Sequence, residues 1–314
     1  MKVLLFGANG QLGSDIARLW TGIELIGVTR ADADVTDAAA VASLVQNHRP
    51  DVVINTTAFH NLPVCEQDPE TCFRINVVGG RNIATAAAEA GAAIVQFSTD
   101  YVFQGDKGAP YFENDSRRAV NTYGAAKIAT EDIVRIANPE HLVVRVSGLY
   151  GLAGSAGKGG NFVETMLRLA REGNDINVVA DQATSPTNTA EIAEALQPLL
   201  QAGARGVVHL AAAEGCSWHT FAGEIFAIAG LTPKLNGVTT AEFGGPVKRP
   251  MYSVLGTSVA PPMRHWREGL ERYMREKHGS WSRSGSRVTH PTGTKSSNED
   301  SPPLLPSLGE GDGG

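Results

Sequence analysis

Five short apolar runs rich in β-branched residues mark the first half of the chain: KVLLF at 2–6, ELIGV at 24–28, DVVIN at 51–55, AAIVQFS at 92–98 and HLVVRVS at 141–147. They do not alternate polar with apolar positions, so each reads as a strand buried on both faces. Between them lie QLGSDIARLW, DAAAVASLVQN, PETCFRINVVGGRNIATAAAEAG and TYGAAKIATEDIVRIA, with the length and composition of helices. Strands and helices alternating at this spacing predict a parallel sheet covered on both sides. The fold class expected is α/β, a Rossmann-type doubly wound sheet whose ligands bind at the carboxyl ends of the strands.

After Tyr150 the pattern changes. GLAGSAGKGGN reads as a Gly-rich loop, NFVETMLRLAREG as an amphipathic helix, and GVVHLAA as one more buried strand. Helical stretches SWHTFAGEIFAIAG and PPMRHWREGLERYMREK follow, separated by loops. We therefore expect a dinucleotide-binding domain over 1–150, rejoined by 186–212, and a smaller C-terminal substrate lobe made of 151–185 and 213–278. Residues 279–314 are so rich in Gly, Ser and Pro that they cannot bury enough apolar surface to offset ordering, and disorder is expected there.

Composition narrows the function. With 42% hydrophobic and 19% charged residues the chain is that of a globular protein. Its net charge of −6 comes without a Lys/Arg run, which speaks against nucleic acid or a membrane as partner and for a small molecule. The apolar run at the N-terminus is too short for a signal peptide, so a cytoplasmic location is expected. Three cysteines (Cys65, Cys72, Cys216) do not suit a disulfide framework and read as buried thiols. Eight histidines show no H-E-x-x-H and no ligand spacing, so no metal is expected.

GANGQLG places Gly7, Gly10 and Gly13 between the first strand and the first helix. Glycines there permit a tight turn and let the backbone approach a pyrophosphate, which free amides and the positive end of the helix dipole stabilise. The second strand ends in Thr29 and Arg30 with no acid. An acid there would take the ribose 2′-OH of NAD, whereas a basic residue suits the 2′-phosphate; NADP is the expected cofactor, with NADH possible.

Tyr-x-x-x-Lys occurs twice, at Tyr123/Lys127 and Tyr273/Lys277. In a helix the two side chains share a face, so an ammonium can lower the pKa of the phenol and ready it to protonate a developing alkoxide. Only the first pair follows a phosphate loop and a strand-end hydroxyl, Thr99, able to hydrogen-bond a carbonyl oxygen. Thr99, Tyr123 and Lys127 are the catalytic candidates, with Lys127 also placed to hold the cofactor ribose. The second pair lies in a charged C-terminal helix without either.

GANGQLG, DVTD, STDYVF and YGAAK resemble the extended short-chain dehydrogenase/reductases. RVSGLYG, NFVETMLRLA, ADQATSPT, GVVHLAA and RPMYSVLGTS narrow the likeness to the dTDP-4-dehydrorhamnose reductase group, over approximately 1–275. The resemblance implies NADPH or NADH as hydride donor and reduction of the 4-keto group of a nucleotide-linked deoxysugar. It implies that Gly10, Gln11 and Leu12 line the pyrophosphate, Asp34 and Val35 meet the adenine, and Thr57, Ala58 and Phe59 line the cofactor. It gives Thr99, Tyr123 and Lys127 the catalytic roles, turns Tyr101 to the substrate, and suggests a homodimer. Two departures stand out: Gly148 occupies the place of a sugar-contacting Trp, and Pro63 that of an Asp in a V-D-x-x-E run. Loss of the Trp should enlarge or reshape the sugar subsite.

Other readings are a reductase of a different ketone, an epimerase with tightly held NAD, and a non-catalytic NADP-binding regulatory subunit. A dehydratase would carry Asp-Glu after the strand-end Thr, where this chain has Asp100 and Tyr101. A full Thr99, Tyr123, Lys127 set argues against a pure sensor, which has no need of a proton donor.

Overall fold

The protein was analysed as a computed structural model that describes residues 1–154 and 160–279. The first half runs β1 (Lys2–Phe6), α1 (Gln11–Leu19), β2 (Glu24–Val28), α2 (Ala38–His48), β3 (Val52–Asn55), α3 (Leu62–Gln67), α4 (Pro69–Phe73), α5 (Gly79–Glu89), β4 (Ala93–Thr99), α6 (Thr122–Ala137) and β5 (His141–Val146). The second runs β6 (Leu149–Tyr150), α7 (Phe162–Glu172), β7 (Ile176–Val179), β8 (Ala183–Thr184), β9 (Thr187–Asn188), α8 (Thr189–Gln201), β10 (Gly206–His209), β11 (Cys216–Ser217), α9 (Trp218–Ala229), β12 (Leu235–Val238), α10 (Thr240–Phe243) and α11 (Trp266–His278).

Six strands form one parallel sheet in the order β2, β1, β3, β4, β5, β10. Successive side chains of a strand point to opposite faces, and β1 shows why the sheet needs two covers. Val3 and Leu5 pack toward Leu12 and Ile16 of α1 and Ile192 and Leu196 of α8. Leu4 and Phe6 pack on the other face with Val41 and Val45 of α2, Ile83 and Ala84 of α5, and Val134 of α6. The doubly wound Rossmann-type sheet expected from the uninterrupted apolar runs is thus present. Strand order reverses between β1 and β3, the place where such sheets open a crevice at their carboxyl ends.

A second core gathers Tyr150, Val163, Met166, Leu167, Phe221, Ile225, Trp266, Leu270 and Tyr273 beside the sheet. Its elements are α7, α9 and α11 with the short parallel pair β7 and β12. Tyr273 is the second Tyr-x-x-x-Lys tyrosine, and its hydroxyl donates to Glu164 at 2.8 Å and accepts from Asn161 at 3.0 Å. Lys277 donates to the Leu152 carbonyl, so this pair ties α11 to the loop and helix beside it.

The helix expected over 69–91 is interrupted. Arg74–Val78 form a π-helical turn between α4 and α5, where Asn76 is buried and its amide nitrogen bonds the carbonyls of Phe59 and Cys72. α3, which carries Pro63 in its first turn after an Asn61 cap, was not anticipated from the sequence. The expected helix over 261–277 begins only at Trp266, the two prolines and the residues after them lying outside it. All three cysteines are buried. No described helix is long and apolar enough to cross a membrane. Apart from Gly279, the segment expected to be disordered lies outside the described residues.

Candidate active site

The crevice at the strand ends is a cleft of about 490 Å³, lined by residues at the β1, β3 and β4 termini and by 148–149, 160–162, 182–184, Arg249, Pro250 and Ser253. Gly7 takes φ +80°, and a Cβ there would lie 2.5 Å from the Thr56 hydroxyl. A Cβ on Gly13 would lie 2.2 Å from the Gly7 carbonyl oxygen. The loop is therefore wound tightly enough to exclude side chains, and its mouth is left to backbone. α1 starts at Gln11 with no side chain capping its first amides. Gln11 lines the cleft, and its Oε1 is buried with no hydrogen-bond partner. A backbone cradle, an open helix N-terminus and an orphaned acceptor together fit a dinucleotide pyrophosphate and its ribose.

Arg30 reaches the cleft at the end of β2. Thr56, Thr57 and Ala58 line it after β3, and Asn55 holds Thr57 by accepting from its amide and hydroxyl at 3.0 and 2.6 Å. Four expected cofactor residues are not in the wall. Gly13 serves the contact of α1 with the loop. Asp34 is exposed and turned onto its own neighbour, accepting from the amide and hydroxyl of Thr36. Val35 is buried in the core against Gly79. Phe59 has both backbone groups bonded by Asn76.

Thr99, Tyr123 and Lys127 meet on the cleft floor. Thr99 ends β4, and its oxygen accepts from the Tyr101 amide at 3.2 Å, starting the turn 100–102. α6 is pressed against that turn: a Cβ on Gly124 would lie 2.3 Å from the Tyr101 carbonyl oxygen. The N-terminus of α6 is fixed by Asn121, which accepts from the Gly124 amide, and by Glu66 of α3, which takes the Thr122 amide and hydroxyl at 2.7 and 2.8 Å. These contacts set Tyr123 beside Thr99 in the cleft.

Electrostatics differ from the expectation. Burial first, and the Asp100 carboxylate second, push the Tyr123 phenol far above its ordinary value. Loss of water around the phenolate, and not the Lys127 ammonium, sets the direction of the shift. Lys127 is itself buried, and burial brings its ammonium down to about 8 although the nearby Glu131 raises it. Its Nζ donates to the Phe97 carbonyl at 2.8 Å. Tyr101 also lines the cleft, its ring set edge-on to Tyr123 with centroids 6.0 Å apart. Burial raises the Tyr101 phenol, while the charge of Arg249 pulls the other way.

Gly148 lines the cleft with φ +57°. Asn76, Glu66, Asp100 and Arg249 were not singled out by the sequence as site residues. Polar residues inside apolar runs, such as the Asn of VVIN and of RINVV, are the signal that marks such buried clamps.

The family model described as RmlD substrate binding domain matches residues 1–278. The chain belongs to that family. Among its relatives, the spore coat polysaccharide biosynthesis protein SpsK of Bacillus subtilis is 37% identical, over 88% of this chain and 98% of that protein. The dTDP-4-dehydrorhamnose reductase of Mycobacterium tuberculosis is 36% identical, over 86% of this chain and 91% of that protein. A crystal structure of the dTDP-4-dehydrorhamnose reductase of Bacillus anthracis, in complex with NADP, superposes with a TM-score of 0.84 at 36% identity, covering 88% of this chain and all (100%) of that one. RmlD-family membership thus extends across both the sheet and the lobe that closes the cleft.

Proposed function

We propose that the protein is an NADPH-dependent reductase of the 4-keto group of a dTDP-linked deoxysugar. The observation that carries this reading is the convergence of Thr99, Tyr123 and Lys127 on the same cleft as the glycine loop. NADPH, when bound, supplies the hydride. The Gly7–Gly10 backbone and the first amides of α1 would hold its pyrophosphate, the Gln11 Oε1 would accept from a hydroxyl, and Arg30 would take the 2′-phosphate.

Tyr123 holds its proton firmly in the resting cleft, since burial disfavours the phenolate. That keeps the donor loaded over the working pH range. Charge growing on the substrate oxygen makes that atom the stronger base, and the proton passes from Tyr123 Oη to it. Lys127, one turn further along α6, stands as the cation that stabilises the phenolate left behind. Kinship with the B. anthracis structure in complex with NADP supports the choice of cofactor.

The test is NADPH oxidation, followed optically, with dTDP-4-dehydro-6-deoxy-L-mannose as acceptor. Wild-type turnover is expected, falling by about 10²–10⁴ in Tyr123→Phe with NADPH binding retained. A wild type that binds NADPH and turns over no dTDP-linked 4-keto sugar overturns the reading.

A further inference from the structure

Asp100 follows Thr99 directly, lines the cleft, and is only 5% exposed. Its partners are hydroxyls from four separate places. One oxygen accepts from Ser253 at 2.6 Å, from Ser147 at 3.0 Å and from Thr184 at 3.4 Å. The other accepts the proton of the Thr99 hydroxyl at 3.0 Å. The titratable and charged groups near it are Tyr101 on its own turn and Tyr123 on α6, with Lys127 and Arg249 lining the same cleft. Burial holds its carboxyl above the usual range, against the pull of those hydroxyls.

A hydroxyl has one proton and two lone pairs. Thr99 gives its proton to Asp100 and accepts from the Tyr101 amide, so in this arrangement it can only accept from Tyr123 or from a ligand. Reduction of a carbonyl calls for the reverse, a donor aimed at an oxygen that is gaining charge. Resting on the reductase reading, we infer that Asp100 is a positioning residue that must carry a proton of its own before the Thr99 hydroxyl can turn from it and donate toward Tyr123 or the reacting carbonyl.

The surroundings can receive that proton. Ser147 and Thr184 lie 2.6 Å apart, with either able to act as donor to the other, so one hydroxyl can rotate to accept from a neutral Asp100. Asp100 loses no proton in the reaction: the proton moves from Tyr123 to the substrate oxygen, and Thr99 only turns. The carboxyl thus gates the hydrogen-bond direction of the site without touching the reacting atoms.

The experiment is the pH profile of kcat/KM for wild type, Asp100→Asn and Ser253→Ala, with NADPH and the dTDP-linked 4-keto sugar. Wild type should lose activity about tenfold per pH unit above the ionisation of Asp100, and the ionisation of Lys127 near 8 should add a limb of its own. Asp100→Asn fixes the neutral form, so the Asp100 limb should vanish and the Lys127 limb remain. Ser253→Ala removes the shortest donor to the carboxylate and should move the limb to higher pH. An Asn profile parallel to wild type at every pH, or a folded, NADPH-binding Asn protein with no turnover at any pH, overturns the proposal. An arm without substrate follows the Asp100 carboxyl by ¹³C NMR: its titration midpoint should rise in Thr99→Val, and an unmoved midpoint also overturns the proposal. A wild type inert toward the sugar, whose midpoint nevertheless moves in Thr99→Val, sinks the reductase reading and leaves the Asp100–Thr99 coupling standing.

Discussion

A Cβ placed on Gly148 would lie 3.0 Å from the Cα of Pro186, and 3.1 Å from the carbonyl oxygen of Ser185. With φ at +57° the position is both left-handed and walled by backbone. The chain therefore does more than omit an aromatic residue here, because its backbone is arranged so that none can be put back by one change. Gly148→Trp and Gly148→Ala should each destabilise by about 1–3 kcal/mol. Urea unfolding measures this; unchanged stability in the Trp variant, together with faster turnover, would show the wall to be soft.

Lys127 carries the second prediction. Its ammonium is brought from 10.5 to about 8 by burial, so between those values the unfolded chain holds the extra proton and stability rises with pH. Below about pH 8 the full cost of the buried charge is present, ~3 kcal/mol. Lys127→Met should be inactive yet more stable than wild type at pH 7, by that amount less the donor lost to the Phe97 carbonyl. The gain should shrink above pH 8 and be gone near 10.5. Melting temperature against pH for both proteins is the check, and a variant less stable at pH 7 with the gap constant in pH would contradict it.

Arg30, which lines the cleft after β2, is the residue proposed to read the 2′-phosphate. Arg30→Ala should raise the KM for NADPH by about 10- to 100-fold, the weight of a charge-assisted phosphate contact, and leave that for NADH nearly unchanged. Initial rates with the two cofactors decide it. Equal losses with both would mean that the arginine does not read the 2′-phosphate.

Glu66 reaches from α3 to the first amide and hydroxyl of α6. Glu66→Ala removes a cap from the helix that presents Tyr123 and should cost about 1 kcal/mol. Because the loss falls on the placement of the phenol, kcat should drop more than the affinity for NADPH, which fluorescence titration reports separately. An Ala variant with wild-type kcat would show α6 to be held by Asn121 and packing alone.

Much of the sheet was legible because buried parallel strands are written as unbroken apolar runs; KVLLF and AAIVQFS need no partner to be read. The glycine loop was legible for a related reason, since tight backbone leaves few residue choices at Gly7 and Gly13. What stayed hidden depends on distant partners. The Asn inside RINVV hints at a buried clamp, but nothing local names Phe59 as what Asn76 clasps, nor says that Val35 faces the core while Asp34 folds back on Thr36. The spacing of Tyr123 and Lys127 placed them correctly on one face, but the direction of the phenol's shift is set by burial, which a sequence does not state.

α11 fills the second core with Trp266, Leu270 and Tyr273, and the cleft residues Arg249, Pro250 and Ser253 also come late in the chain. The last strand of the main sheet ends at His209. During synthesis the sheet and its glycine loop can therefore be complete while the residues that close the cleft are still being made. The nascent chain would meet its nucleotide through a half-built site, and the rest of the cleft would assemble only after these later residues emerge. A stop codon before Trp266 should then leave a chain that still folds around a nucleotide in the cell but is short-lived there, its unfinished apolar face open to chaperones and proteases.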